Sequence, residues 1–341
     1  MRYYLAAAAA LALQVSAAHS ETIITLIGDD VLATVDSNTG KTTGLRKIDG
    51  VGPLLGIDVR PADGQLYGLA SDGAVVPIDP VSGKATPKST LDTPTPAGVD
   101  VTVDFNPVAD KMRIIGSDGT NLRADVDSGK VTQDKPLKFA DADPANGQTP
   151  SVIAGAYSNS VKGTKETTLY DIDGNLDSLF RQAPPNDGIL NTIGTLGLDA
   201  DDVAFDIVTD ATGANTGMLI AKGNLYTVDL TSGKASGGKK IAGLPSDLRD
   251  IAVLPAAAPA KAANADMMMM QPDAMQMNAK GDNTAATYMP KAAPDMMAKS
   301  KAATQKAGFD MGKKTQMRAD FGMQRNAYSV PKAKRGPQCD R

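Results

Sequence analysis

Residues Gly56 to Thr86 read GIDVRPADGQLYGLASDGAVVPIDPVSGKAT. Three apolar runs, Gly56 to Arg60, Gln65 to Ala70 and Ala74 to Ile78, are separated by Pro-Ala-Asp-Gly and Ser-Asp-Gly. An Asp-Pro-Val-Ser-Gly segment then leads to an edge run from Lys84. Short β-branched runs bounded by Gly, Pro and Asp read as strands joined by tight turns. The stretch therefore predicts a four-stranded up-and-down sheet, the shape of one propeller blade.

Reduced copies recur along residues 21 to 255. The glycine closing the third strand marks them: Asp36-Ser-Asn-Thr-Gly40, Asp79-Pro-Val-Ser-Gly83, Asp125-Val-Asp-Ser-Gly129, Asp229-Leu-Thr-Ser-Gly233 and a degenerate Gln182-Ala-Pro-Pro-Asn-Asp-Gly188. Successive spacings are 43, 46, 59 and 45 residues, the period of a four-stranded blade. Asp-x-x-Ser/Thr-Gly-Lys has two readings, a metal or phosphate loop, or a turn in which Asp caps the backbone and Gly takes positive φ. The turn is favoured.

The first strand repeats as Gly56-Ile-Asp58-Val-Arg60-Pro, Val103-Asp104-Phe-Asn106-Pro, Phe205-Asp206-Ile and Asp250-Ile-Ala-Val-Leu-Pro255, with Ala154-Gly-Ala-Tyr157 in the remaining copy. The last copy has no blade after it. The segment after Glu21 opens with what read as second, third and fourth strands, Ile23 to Ile27, Val31 to Val35 and Thr42 to Ile48. Ring closure follows: Asp250 to Leu254 becomes the innermost strand of the N-terminal blade. The expected fold is all-β, a five-bladed propeller of four-stranded blades closed by its C-terminal strand, with a disordered C-terminal tail.

Residues 1 to 20 read as a secretory signal peptide, with Arg2, an apolar run from Leu5 to Val15, and Ala18 and Ser20 as the small residues before the cut. The run is too short to span a bilayer, so no transmembrane anchor is expected. The mature chain is expected to be periplasmic or secreted, and monomeric. His19 is the sole histidine and leaves with the signal peptide. That removes Ser-His-Asp catalysis, histidine acid–base work and His-containing zinc or copper sites. Cys339 is the sole cysteine and stands three residues from the C-terminus, so no intramolecular disulfide forms.

The chain has 341 residues, 42% hydrophobic, with no Trp and net charge −4. Residues 21 to 255 carry 20 Lys+Arg against 32 Asp+Glu, and residues 256 to 341 carry 14 against 7. The second segment is rich in Ala, Lys and Met and lacks sustained periodicity, the composition of a disordered tail. It holds 12 of the 15 methionines, including Met267 to Met270. Thioethers favour copper(I), so copper handling is one reading of the tail and a biased linker is the other. Arg318, Arg325, Arg335 and Arg341 among Phe309, Phe321 and Tyr328 are too sparse for a nucleic-acid signal.

If the first strands line the channel, Asp58, Asp104, Asp206 and Asp250 face the axis, with the break at Ala156. Four carboxylates around one channel repel unless a cation, or a basic group such as Arg60, sits among them. They are candidates for a calcium or cationic-ligand site, shared with Asn106. Alternatively, each Asp accepts backbone N–H groups of the neighbouring blade. Arg113, Asn121 and Arg123 are further polar candidates for blade contacts or ligand binding.

GIDVRPADGQLYGL (56 to 69), DFNPVADKMRIIGSDGTNLR (104 to 123), AYSNS, TTLYDID and QAPPNDGIL resemble a bacterial secreted family known only as domain of unknown function 4394. The resemblance covers residues 22 to 255 and brings no activity or catalytic residues with it. Three functions fit: an envelope binding or scaffold module of unknown ligand, which is favoured; a calcium-dependent, lactonase-like hydrolase using the axial Asp residues; and copper capture by the tail. Calcium is the one cofactor suggested, and the absence of His and of a pocket Cys leans the reading away from an enzyme.

Overall fold

The computed structural model describes residues 20–254. The signal segment with His19, the Met-rich tail and Cys339 lie outside the described residues.

Strands follow one another in the order the repeats predict. β1 (Thr22–Ile27), β2 (Val31–Asp36) and β3 (Lys41–Lys47) form the first sheet. β4 (Leu54–Val59), β5 (Leu66–Ala70), β6 (Ala74–Ile78) and β7 (Ser89–Thr90) form the second. β8 (Val101–Asn106), β9 (Lys111–Gly116), β10 (Asn121–Ala124) and β11 (Val131–Gln133) form the third. After β12 (Lys138–Phe139) come β13 (Val152–Tyr157), β14 (Leu169–Asp173), β15 (Ser178–Gln182) and β16 (Ile189–Thr195) in the fourth. β17 (Val203–Thr209), β18 (Asn215–Ala221), β19 (Asn224–Val228) and β20 (Ala235–Lys240) make the fifth. β21 (Leu248–Leu254) then returns to β1, antiparallel, with Ile23 opposite Val253 and Thr25 opposite Ile251. The expected five-bladed propeller closed by the C-terminal strand is what the chain forms.

Two details differ from the four-strand repeat. The edge strand of the second blade is only Ser89–Thr90 rather than a run from Lys84, because Pro87 has no N–H for the ladder. Lys84 bridges instead to Asp49 of the first blade. The fourth blade gains a fifth strand, since β12 pairs in parallel with β16, Lys138 opposite Ile189. The 59-residue spacing between Gly129 and Gly188 is absorbed by this segment and by the long loop from Ser158 to Thr168.

The core is five apolar clusters among the described residues, one per seam between blades. Each strand presents one face to each flanking seam, so alternate residues fill two cores. β21 shows this: Ile251 and Val253 pack against Ala204, Met218 and Ile220 of the fifth blade, whereas Ala252 packs with Leu54 and Ile57 of the second.

The Asp-x-x-Ser/Thr-Gly motifs are turns. Asp79 Oδ1 accepts the Val81 and Ser82 N–H groups and Asp125 Oδ1 accepts those of Asp127 and Ser128. Gly83 and Gly129 have φ of 79° and 74°, and a Cβ on either would collide with a backbone carbonyl of the preceding blade, Lys47 or Thr90. Their own carbonyls accept the Asp49 and Asp92 N–H groups of that blade. The motif glycine therefore latches adjacent blades at the outer rim.

One buried acid sits in the seam between the third and fourth blades. Asp171, on β14 opposite Gly155, is fully buried and neither carboxylate oxygen has a protein hydrogen bond. Burial pushes its pKa up to about 8, with Arg113 opposing the shift.

Two outcomes follow from this architecture. A chain ending at Arg249 loses buried Ile251, Ala252 and Val253, at about 1.5–3 kcal/mol per large side chain, and leaves two sheet edges open. It should show no cooperative melt, whereas a chain ending at Pro255 should; equal melting of the two would refute closure by β21. For Asp171, the unfolded chain ionises near 3.8 and the folded one near 8. Between these values folding must retain a proton that the unfolded chain releases, so this group lowers stability by about 1.4 kcal/mol per pH unit. Asp171→Asn should therefore gain in melting temperature over wild type as pH rises from 5 to 8, and a constant gap would be the contrary result.

Candidate functional site: the axial carboxylates

The inner strands β21, β4, β8, β13 and β17 neighbour one another around the axis. An inner strand has no ladder partner on its axial side, so its backbone N–H groups there need side-chain acceptors. Aspartates provide them. The Phe105 N–H donates to Asp58 Oδ2 (2.7 Å), the Tyr157 N–H to Asp104 Oδ1 (3.0 Å) and the Val253 N–H to Asp206 Oδ2 (2.6 Å). Each bond runs from one blade to the next. Asp58 and Asp206 also accept the N–H of the following residue, Val59 and Ile207.

The donors set the register of the ring. Phe105, Tyr157 and Val253 occupy equivalent positions, so the residues at the level of Asp104 are Ala156 on β13 and Ala252 on β21. Asp250 stands two residues earlier, where it accepts the Ile57 N–H at 2.9 Å. Its counterpart on β8 is Thr102, whose Oγ1 accepts the Gly155 N–H at 3.2 Å. Of the four expected axial acids, the structure thus brings three together. One carboxylate oxygen from each of Asp58, Asp104 and Asp206 lies within 4.8 Å of the others. Asp250 belongs to the adjacent layer, and Ala252 holds the axial place in its blade.

These carboxyls are 3–6% exposed. Burial pushes the pKa of Asp58 and Asp104 well up, the former helped by the charge of Asp206 and the latter by Asp58 and Asp206; burial lifts Asp206 to about 6. Burial also raises Asp250. Among the described residues no Lys or Arg forms an ion pair with Asp58, Asp104 or Asp206. Three oxygens at this separation match the span across a calcium ion, whose ligands lie about 2.3–2.6 Å from it.

A cavity lies at each end of the inner strands. At the N-terminal ends of the inner strands Asp100, Asp201, Asp202, Asp247 and Arg249 line a space of about 220 Å³. At the C-terminal ends, a cavity of about 230 Å³ has Asp58 and Asp206 in its lining, together with Ser160 to Lys162 from the long loop of the fourth blade.

The remaining sequence candidates are engaged in contacts within and between blades. Arg60 donates through Nε and Nη2 to both oxygens of Asp110 (2.7 and 2.6 Å) and through Nη2 to Asp127 (2.9 Å), across the seam to the third blade. It does not neutralise the axial acids. Arg113, 2% exposed, donates to Tyr157 Oη, Asn121 Oδ1, Asp134 Oδ2 and Asn186 Oδ1. Asn121 donates to the Lys135 and Pro185 carbonyls, and Arg123 chelates Asp134. Asn106 accepts the Val108 and Ala109 N–H groups and caps its own turn. Sequence reasoning missed Asp134, Asn186 and the 158–168 loop; only the long 59-residue period hinted at the loop.

Among curated proteins none matches the sequence. Solved structures are similar at low identity. A protein of unknown function from Bacteroides thetaiotaomicron VPI-5482 is 15% identical over 71% of this chain and 68% of its own, with a TM-score of 0.42. One from Bacteroides caccae is 10% identical over 69% and 99%, TM-score 0.36. An auxiliary nutrient binding protein from B. thetaiotaomicron VPI-5482 is 15% identical over 58% and 53%, TM-score 0.38, so this chain spans about half of that one. The family model described as domain of unknown function DUF4394 matches residues 31–252. That match takes in every blade and all three axial acids, and the chain belongs to the DUF4394 family.

Proposed function

We propose that the protein is an extracytoplasmic binding module that receives the cationic part of a ligand at Asp58, Asp104 and Asp206. The observation that carries this reading is the convergence of three buried carboxylate oxygens within 4.8 Å, none of them in an ion pair with Lys or Arg among the described residues. The Asp134 side chain, 5% exposed, is by contrast paired with both Arg113 and Arg123. The axial three are left with two ways to relieve their repulsion, a proton or a cation. Their raised pKa values describe the first; a ligand cation supplies the second. Carboxylate donors suit hard ions such as calcium, which makes calcium the simplest probe of the site. Binding is favoured over catalysis because the described residues contain neither His nor Cys. The secreted location rests on the signal-like N-terminus, and among the described residues no helix is long and apolar enough to cross a membrane.

Calcium should raise the melting temperature of the wild-type protein at pH 7.5. Occupancy at 100 times the dissociation constant adds about 2.7 kcal/mol, a shift of a few degrees. Asp104→Asn keeps an acceptor for the Tyr157 N–H but removes the charge, so it should abolish the calcium shift; Asp79→Asn, in an exposed turn, should retain it. Protons compete for the same oxygens, and Asp206 titrates near 6, so the calcium shift should shrink as pH falls from 7.5 to 5. A wild-type melting curve unmoved by calcium at pH 7.5 would remove the support for this reading.

A further inference from the structure

The connection between the third and fourth blades lies over the seam that holds Asp171. Its residues Leu137, Phe139 and Ala145 belong to the buried core of that seam, to which the strands of the third blade contribute Ile115. The connection is lightly tied. β12 is two residues long, the Lys138 and Ala140 N–H groups donate to the Gly188 and Leu190 carbonyls at 2.8 and 2.9 Å, and Asp143 accepts the Thr192 N–H at 2.6 Å. Inward from it, one face of the fourth blade leads from Phe139 to Asp171. The Phe139 ring packs on Phe180 with centroids 5.2 Å apart. Phe180 on β15 is the cross-strand neighbour of Asp171 on β14, and Asp171 is that of Gly155 on β13. A Cβ at Gly155 would stand 2.7 Å from Asp171 Oδ1 and 3.7 Å from Thr102 Cγ2 of the third blade, so the carboxyl fills the space the glycine leaves. Neither of its oxygens has a hydrogen-bond partner. An acid so placed is tolerated as the neutral carboxyl and penalised as the carboxylate.

The charged and titratable groups around this seam are committed to other partners. On β9, Arg113 donates to Tyr157, Asn121, Asp134 and Asn186, and Arg123 on β10 shares Asp134 with it. On β8, Asp104 accepts the Tyr157 N–H of β13. Asp173, on β14 itself, accepts the Ser151, Asn175 and Leu176 N–H groups. Arg181 of β15 stands opposite Tyr170, on the other face of the sheet, and β16 presents the uncharged Leu190 and Thr192. In the connection, Lys135 pairs with Asp187 and Lys138 with Asp141, while Asp143 holds Thr192. We propose that residues 137–145 form a strap whose release from the third–fourth seam is driven by ionisation of Asp171: the strap lies closed over the protonated acid and lifts to let water reach the carboxylate. Burial pushes the Asp171 pKa up to about 8, against an ordinary 3.8. The released form therefore holds fewer protons between those values, and the ratio of released to closed strap rises about tenfold per pH unit towards pH 8 and levels off above it. Release uncovers the apolar surface of Phe180 and Leu190. Nothing in this inference depends on the axial carboxylates.

The test is amide hydrogen exchange of the full chain, read peptide by peptide at pH 6, 7 and 8 with the intrinsic pH dependence of exchange divided out. Peptides containing Lys138 and Ala140 should exchange by local opening. Their opening constant should rise about tenfold per pH unit in the wild type and stay flat in Asp171→Asn, which keeps the size of the side chain and cannot ionise. Peptides of β1 and β18, in the first and fifth blades, should stay protected at all three pH values. Phe139→Ala, which removes the ring that packs on Phe180, should raise opening of the strap at pH 6 by about tenfold or more and leave β1 and β18 protected. An equal pH response of the strap in wild type and Asp171→Asn would overturn the proposal, because another group would then drive it. Strap peptides that exchange no faster than β1 and β18 in the wild type would overturn it too, since the carboxyl would then be reached by global unfolding alone; that comparison needs no variant. An unchanged strap in Phe139→Ala would count against it equally.

Discussion

The ring depends on how one inner strand satisfies the backbone of the next. Sheet hydrogen bonding stops at the axial edge of each blade, and a buried N–H without an acceptor costs about 1–3 kcal/mol. Aspartate carboxylates from the preceding blade accept these groups in three seams at one level, and Asp250 and Thr102 do so one layer away. The motif glycines repeat the device at the rim, where backbone meets backbone too closely for a Cβ. Two concentric sets of fasteners thus hold five wedges of apolar core.

The axial acids are placed by this structural need, and their chemistry comes with the placement. A carboxylate that reaches across to the next blade near the axis is drawn toward those of other blades. Burial and mutual charge then shift their titration upward. The structural role of Asp58, Asp104 and Asp206 and the cation-site role proposed for them are therefore compatible. Backbone N–H groups occupy part of each carboxylate's capacity, and one oxygen of each lies within 4.8 Å of the others. Asp250, held in the same fashion one layer off, shows that the fastening alone does not assemble the triad.

Much of the fold was legible because it repeats. Strand, turn and glycine recur at a nearly constant period, and the orphan strand at Asp250 to Leu254 forced closure. The register of that last strand differs by two residues from the one the aligned acids suggest, and the sequence carries a signal of this. Pro61 follows Asp58 by three residues and Pro107 follows Asp104 by three, while Pro255 follows Ala252, not Asp250, by three. In these three of the five copies the proline position in the sequence marks the level more faithfully than the acid does. The arginines were harder. Arg60 meets Asp110 and Asp127, and Arg113 meets Asp134 and Asn186, partners set by ring geometry that no local pattern encodes. The charge balance of the axis was likewise hidden, since reading Arg60 as its counter-ion required knowing which way the side chain turns.

The two alanines at the axial level, Ala156 and Ala252, also matter for what the ring can do. Five near-identical blades would offer a ligand five equivalent poses, an ensemble with rotational degeneracy and no defined direction. Around this axis the order is Ala252, Asp58, Asp104, Ala156, Asp206, which has no rotational symmetry. Asp58 and Asp104 stand together, and Asp206 stands apart between two methyl groups. A group held there, as proposed, would be given a single bearing, with whatever it carries aimed at one sector of the mouth rather than at all five.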